Sequence, residues 1–368
     1  MTTLRGITLR AGQIFCACDM VGLPRSAEQM PTGFSLVRMA FAFGLGIVAQ
    51  ILTLSVLPLA SASMAPTPNA LALPYVAMLI GAALSTFPAS ILLDLFGRRA
   101  AFALGASLGI AGGAIAAWAI MERQFGALLL GVAWLGMAQG FGLFYRHAGA
   151  MLAQGGSGII FGAGAIAAIV GPTLLTLINA QTGALAPAYA LLAAGLVHFV
   201  MLGIAVTLPT QRFDSTRDAT LTDDRSILIT ATAIAALAWF GMTSLMARTP
   251  LMMAGCGIGF SLAAGVMALH IAAMYLPGFI IGRWLSAWGG FKVGLGGLVL
   301  LGFGALLVSL QREPAGFGLA LSIAGAGWGI ATIGATEWLH RKGNPSPMAL
   351  AIHDGLLFIA AITGALTV

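Results

Sequence analysis

The sequence predicts an all-α integral membrane protein: eleven crossing helices in two similar bundles joined by a solvated linker. Three observations predict it. Hydrophobic residues fill 59% of the 368 positions and charged residues only 8%, against roughly a quarter charged in a soluble globule. Apolar runs of about 20 residues, the length that crosses the hydrocarbon as a helix, recur with short polar breaks and without the alternation of a β-barrel. The segment QRFDSTRDATLTDDRS, 211–226, carries seven charges in sixteen residues, too many to enter the bilayer.

Residues 1–34 are mixed in polarity and show no cleavable signal peptide, so they read as a cytoplasmic tail. Hydropathy places six spans near 35–60, 70–94, 99–120, 125–146, 156–178 and 185–208, forming a first bundle over 35–208. The linker at 209–225 follows. Five spans near 226–248, 258–286, 291–311, 316–338 and 346–368 form the second bundle, 226–368. Arg98, Arg99, Arg146, Arg212, Arg217, Arg225, Arg283, Lys292, Arg341 and Lys342 fall on one side of this alternation, and only Arg123, Arg248 and Arg312 on the other. The positive-inside rule puts the N-terminus and linker in the cytoplasm. The formal net charge of +6 is then explained by membrane orientation, and nucleic-acid binding is not expected. Cys16, Cys18 and Cys256 are too few and too scattered for a disulfide framework.

Between spans 2 and 3 stands DLFGRR: Asp94, Gly97, Arg98 and Arg99. Gly97 permits a tight turn, and the carboxylate can pair with an arginine or a helix N-terminus to latch one conformation. The equivalent loop of the second half, 192 residues on, keeps Gly282, Gly289 and Lys292 but has Ser286 in place of the acid. These residues resemble motif A of the major facilitator superfamily. The resemblance implies the fold of that superfamily, two pseudo-symmetric bundles that expose a midplane site to each side in turn. Its members normally have twelve spans; eleven are visible here.

The stretch 241–274 holds six methionines, one cysteine and one histidine. Met242 and Met246 stand four apart on span 7, and His270 and Met274 four apart on span 8, so each pair shares a helix face. Cys256 and the Met252–Met253 doublet fall in the expected loop between. Thioether, thiol and imidazole ligands without carboxylates suit copper better than magnesium, calcium or manganese. The plain alternatives are helix packing for the methionines, an interhelical hydrogen bond for His270 and a small buried hydrophobe for Cys256. His147 and Met151 repeat the pattern at the cytoplasmic end of spans 4 and 5, where an incidental surface pair is expected. Cys16 and Cys18 read as incidental thiols in the tail.

Both motifs resemble those of the CcoA-like copper importers of bacterial inner membranes. That resemblance implies that Met242, Met246, His270 and Met274 are copper ligands, that a thiol is expected near Cys256, and that copper is a transported substrate rather than a resident cofactor. It further implies service to assembly of cbb-type haem-copper cytochrome oxidase, with a cytoplasmic copper acceptor as partner, and no covalent catalysis. Relatives without these motifs resemble riboflavin importers, for which Trp239, Phe240 and Tyr275 are the expected wall; a non-transporting membrane assembly factor is the remaining alternative. Asp354 and Glu337 are the candidate proton carriers, with an ion pair near the cytoplasmic surface as their simpler account.

Overall fold

The computed structural model describes residues 32–209 and 224–367. The tail with Cys16 and Cys18, and the linker between 209 and 224, lie outside the described residues. The chain runs α1 Thr32–Met64, α2 Leu73–Met121, α3 Phe125–Leu143, α4 Tyr145–Leu152, α5 Gly156–Gly162, α6 Ala167–Thr182 and α7 Ala186–Val206. After the linker come α8 Arg225–Gly255, α9 Phe260–Tyr275, α10 Ile281–Ser309, α11 Pro314–Leu339 and α12 Pro347–Ala365.

Among the described residues, nine helical stretches are long and apolar enough to cross a bilayer. Two of them, Pro68–Met121 and Gly156–Val206, span 54 and 51 residues, about twice what one crossing needs. Eleven crossings result. The first doubling turns at Gly97, whose φ of 81° only glycine adopts without strain, and Gly289, φ 75°, makes the matching turn inside α10. The repeat offset read from the sequence is thus a repeat in backbone geometry.

Small residues set how closely the rods approach. Gly112 of α2 meets the backbone of Gly131 and Leu135 on α3, and Gly327 of α11 meets that of Gly297 on α10, the close small-residue packing that substitutes for hydrophobic drive inside lipid. Two ends are capped as their sequences require. Asp224 accepts from the amides of Ser226 and Ile227 at the start of α8, and Ser346 from that of Ala349 at the start of α12.

Two crossings are discontinuous: α5 and α6 are joined by a 3-10 turn at Ala163–Ile166, and α9 and α10 by one at Leu276–Phe279. Broken helices of this kind are tolerated in a bilayer where they are buried or face a cavity. Here they meet across the two halves. A Cβ built on Gly158 would lie 2.7 Å from both the Gly278 carbonyl oxygen and Ile281 Cγ2, so the halves touch backbone to backbone at the end that carries Gly97, Arg98 and Arg99. We call this the basic end.

Candidate functional site

Between the halves lies a cavity of about 570 Å³, within the usual size of small-molecule sites. The first half contributes Phe43 and Gln50 of α1, Tyr75 of α2, Gln139 of α3, and His198 and Met201 of α7. The second contributes Trp239, Met242 and Met246 of α8, Met267, His270, Met274 and Tyr275 of α9, and Trp328 of α11. Among the described residues, no Asp, Glu, Lys or Arg lines it. An aromatic layer forms its floor: the ring centroids of Phe161 lie 5.5 Å from Phe43, 5.0 Å from Tyr275 and 5.4 Å from Trp328, and Trp239 stands 5.6 Å from Trp328 and 5.2 Å from Phe358. From that floor the lining rises to Pro58, Ala247 and Ala365 near the far ends of α1, α8 and α12. The cavity is therefore closed toward the basic end and extends toward the opposite one.

All four members of the paired motifs face this cavity. Met242 and Met246 climb one face of α8 from Trp239, while Met274, His270 and Met267 climb α9 from Tyr275, turn by turn. His270 is buried, and its Nδ1 lies 2.7 Å from the Leu321 carbonyl oxygen. A carbonyl only accepts, so Nδ1 carries the proton and Nε2 presents a lone pair; Nε2 has no partner among the protein atoms. Metal-binding imidazoles are commonly oriented in this way, one nitrogen fixed by a carbonyl and the other left free. Among the described residues no group of three His, Cys, Asp or Glu side chains is arranged to hold a metal. Any metal here would need the thioethers.

The structure separates Cys256 from that set. Helix α8 continues to Gly255, so the Met252–Met253 doublet sits in a helix rather than a loop, and Cys256 caps it. Cys256, Met252 and Met253 pack with Val266 and Phe317 in an apolar cluster and do not line the cavity. Phe240 also misses it, being 38% exposed on the outer face, whereas Trp239 and Tyr275 belong to the floor.

At the basic end, Arg146 pairs with Asp354, and both are fully buried. The expectation of an ion pair for Asp354 holds, but it is enclosed rather than superficial. His147 is not a surface residue either: it is fully buried, 3.2 Å from Asp354 and 3.0 Å from His340. Glu337 of α11 accepts from Ser157 Oγ and from the amides of Gly155 and Ser157, capping α5 from the opposite half. Asp94 makes no ion pair among the described residues. Arg99 Nε instead donates to the Leu208 carbonyl at 2.8 Å, tying the Gly97 turn to the end of α7, while Arg98 is buried.

Sequence reasoning missed the first-half wall of the cavity. Gln50, Gln139 and His198 are isolated polar residues in apolar spans, and that rarity inside a membrane segment was the available signal.

Two bundles around a central cavity, sealed at one end by paired discontinuous helices, are the architecture of a solute carrier. No protein-family model matches the chain. It is 30% identical over 342 residues to the riboflavin transporter RfnT of Brucella anthropi, an alignment covering 88% of this chain and 85% of that one. It is 31% identical over 146 residues to the uncharacterised MFS-type transporter YddS of Bacillus subtilis, covering 39% and 33% of the two chains. Among solved structures, the human organic anion transporter MFSD10 matches with a TM-score of 0.71 at 17% identity, covering 92% of this chain and 93% of that one. The proton:xylose symporter XylE matches with 0.73 at 13%, covering 91% and 87%. The chain belongs to the major facilitator superfamily and is a multi-pass secondary membrane transporter.

Proposed function

We propose that this transporter imports copper across a bacterial inner membrane, with the basic end cytoplasmic and the cavity opening outward. One observation carries the reading: Met242, Met246, His270 and Met274 share one cavity, and His270 is fixed through Nδ1 with Nε2 free toward a ligand. Thioether and imidazole together favour copper, and a cavity without carboxylates disfavours hard cations. Entry of a monovalent cation gains about 2.3 kcal/mol per 100 mV of inside-negative potential. Delivery to a cytoplasmic copper acceptor for haem-copper oxidase assembly extends the same reading.

A second cargo has its own support. The riboflavin transporter at 30% identity over most of both chains favours an organic solute such as riboflavin, and the comparisons support that cargo better than copper. The aromatic floor of Tyr275, Trp328 and Trp239 offers flat surfaces for a ring system.

Uptake of copper and of riboflavin by proteoliposomes, each measured for wild type, Met242→Ala and His270→Ala, separates the two. Copper flux that both substitutions abolish supports copper. Riboflavin flux with no copper flux establishes the organic cargo. Absence of flux for either, with stable co-purification of an oxidase, points to the assembly-factor alternative.

A further inference from the structure

The basic end holds a cluster that the cargo site does not use. It joins Arg146 and His147 of α4, in the first half, to Thr232 of α8, Thr336 of α11, His340 just past α11, and His353 and Asp354 of α12. Arg146, His147, His353 and Asp354 are all at 0% exposure. Arg146 donates through Nε to Thr336 Oγ1 at 3.0 Å and through Nη2 to Asp354. His147 Nε2 lies 3.2 Å from both carboxylate oxygens, its Nδ1 lies 3.0 Å from His340 Nε2, and His353 Nδ1 lies 2.9 Å from Thr232 Oγ1.

Counting hydrogens fixes the protonation that this geometry accepts. Asp354 only accepts, so His147 Nε2 carries a proton, and in the neutral ring Nδ1 accepts from His340 Nε2. His340 Nδ1 is then a buried lone pair without a partner, and Nε2 of His353 also has no partner. Adding a proton to His340 would bury an N–H with no acceptor. A charged His353 would likewise leave an N–H whose nearest carboxylate oxygen is 3.9 Å away, and charging His147 would add a second cation to a carboxylate already shared with Arg146. Each is costly away from water. Burial, reinforced by His147, His353 and Arg146, holds His340 well below the usual imidazole range. The closed cluster is therefore built for neutral imidazoles.

In this conformation the rings of His147 and His353 are closed off from solvent. Phe358 stands one turn along α12 from Asp354, against Trp239 in the cavity floor, so the aromatic layer separates the cluster from the cavity. Because the cluster bridges the halves, parting them at the basic end breaks it and hydrates the rings.

We propose that His147, His340 and His353 form a proton-binding gate: opening of the basic end exposes them to that side, where they take up protons, and the protonated cluster resists closure until it releases them. The inference rests on the transporter fold alone and stands for either cargo. Other charged or titratable side chains at this end of the surrounding elements are Tyr145 on α4, Glu337 on α11, Arg341 and Lys342 just past His340, Asp94, Arg98 and Arg99 on α2, Arg38 on α1 and Arg225 on α8. Glu337, which also bridges the halves, is the necessary control.

The test needs no cargo. Spin labels at Ala100→Cys and Arg283→Cys, exposed positions at the basic end of the two halves, report its opening by distance distribution, with Cys16, Cys18 and Cys256 replaced by serine. Between pH 8 and 5.5 the open-to-closed ratio should rise below about pH 6.5, approaching tenfold per pH unit for each imidazole that gains a proton. The His147→Gln, His340→Gln, His353→Gln triple variant should respond flatly, and Glu337→Gln should respond like wild type. Should the triple variant fail to fold by thermal melt, His340→Gln alone should lower the slope by up to tenfold per unit. A flat wild type, an unchanged slope in the histidine variants, or a response lost in Glu337→Gln overturns the proposal.

Discussion

The backbone contact at the basic end gives a sharp prediction. In Gly158→Ala the new methyl group would lie 2.7 Å from the Gly278 carbonyl oxygen and 2.7 Å from Ile281 Cγ2, about 1 Å inside ordinary contact distance. The isoleucine can rotate; the carbonyl belongs to the 3-10 turn at Leu276–Phe279 and cannot. Overpacking of this kind costs about 1–3 kcal/mol. The cost falls only on the conformation in which the halves meet, so it appears as a shift between conformations, roughly 5- to 150-fold toward opening of the basic end. Labels at Ala100→Cys and Arg283→Cys at constant pH read that population directly, and a thermal melt checks the fold. A folded Gly158→Ala protein with unchanged distances would show that the halves do not approach this closely, and the closed basic end would lose its main geometric support.

Further outcomes follow from single contacts. Asp354→Asn leaves the buried Arg146 without a counter-charge and should cost about 3–5 kcal/mol in a detergent melt, while adding Arg146→Met should recover much of that loss. Cys256→Ser should leave copper bound per purified molecule unchanged, because Cys256 packs outside the cavity; a drop would return the thiol to the ligand set. Gly97→Ala forces a side chain to φ 81° and should cost about 1–2 kcal/mol in thermal stability. Asp224→Ala removes a helix cap. The Asp224 carboxyl is held below its usual range first by Lys342 and then by the Ile227 amide. Its contribution is therefore present above about pH 4 and lost as the pH falls through the lowered value, so the melting difference from wild type should vanish in acid.

The spans were legible because apolar length is a strong signal when the solvent is hydrocarbon. The two inter-helix turns were legible because Gly97 and Gly289 stand at one offset in two similar loops. The end of α8 was not: the span was expected to stop near 248, yet the helix runs on through Thr249 and Pro250, Thr249 Oγ1 bonding back to the Leu245 carbonyl at 2.7 Å, and membrane helices tolerate such prolines. That misreading put the methionine doublet and Cys256 in a loop between the two motif helices. The second-half wall of the cavity was legible from two i, i+4 pairs. Its first-half wall was not, since Gln50, Gln139 and His198 come from three separate spans and share no spacing. The basic-end cluster escaped for the same reason, Arg146 and Asp354 being 208 residues apart.

Helix α11 links the central cavity to the basic end. Its Leu321 carbonyl holds the His270 ring, and its Thr336 holds Arg146. Fifteen residues separate those grips, about 22 Å along a straight helix. Cargo that tugs the imidazole by tilting this rod about ten degrees would sweep its distal tip through roughly 4 Å, enough to unhook an arginine. Occupancy at the centre thereby acquires mechanical leverage over a lock that it never touches.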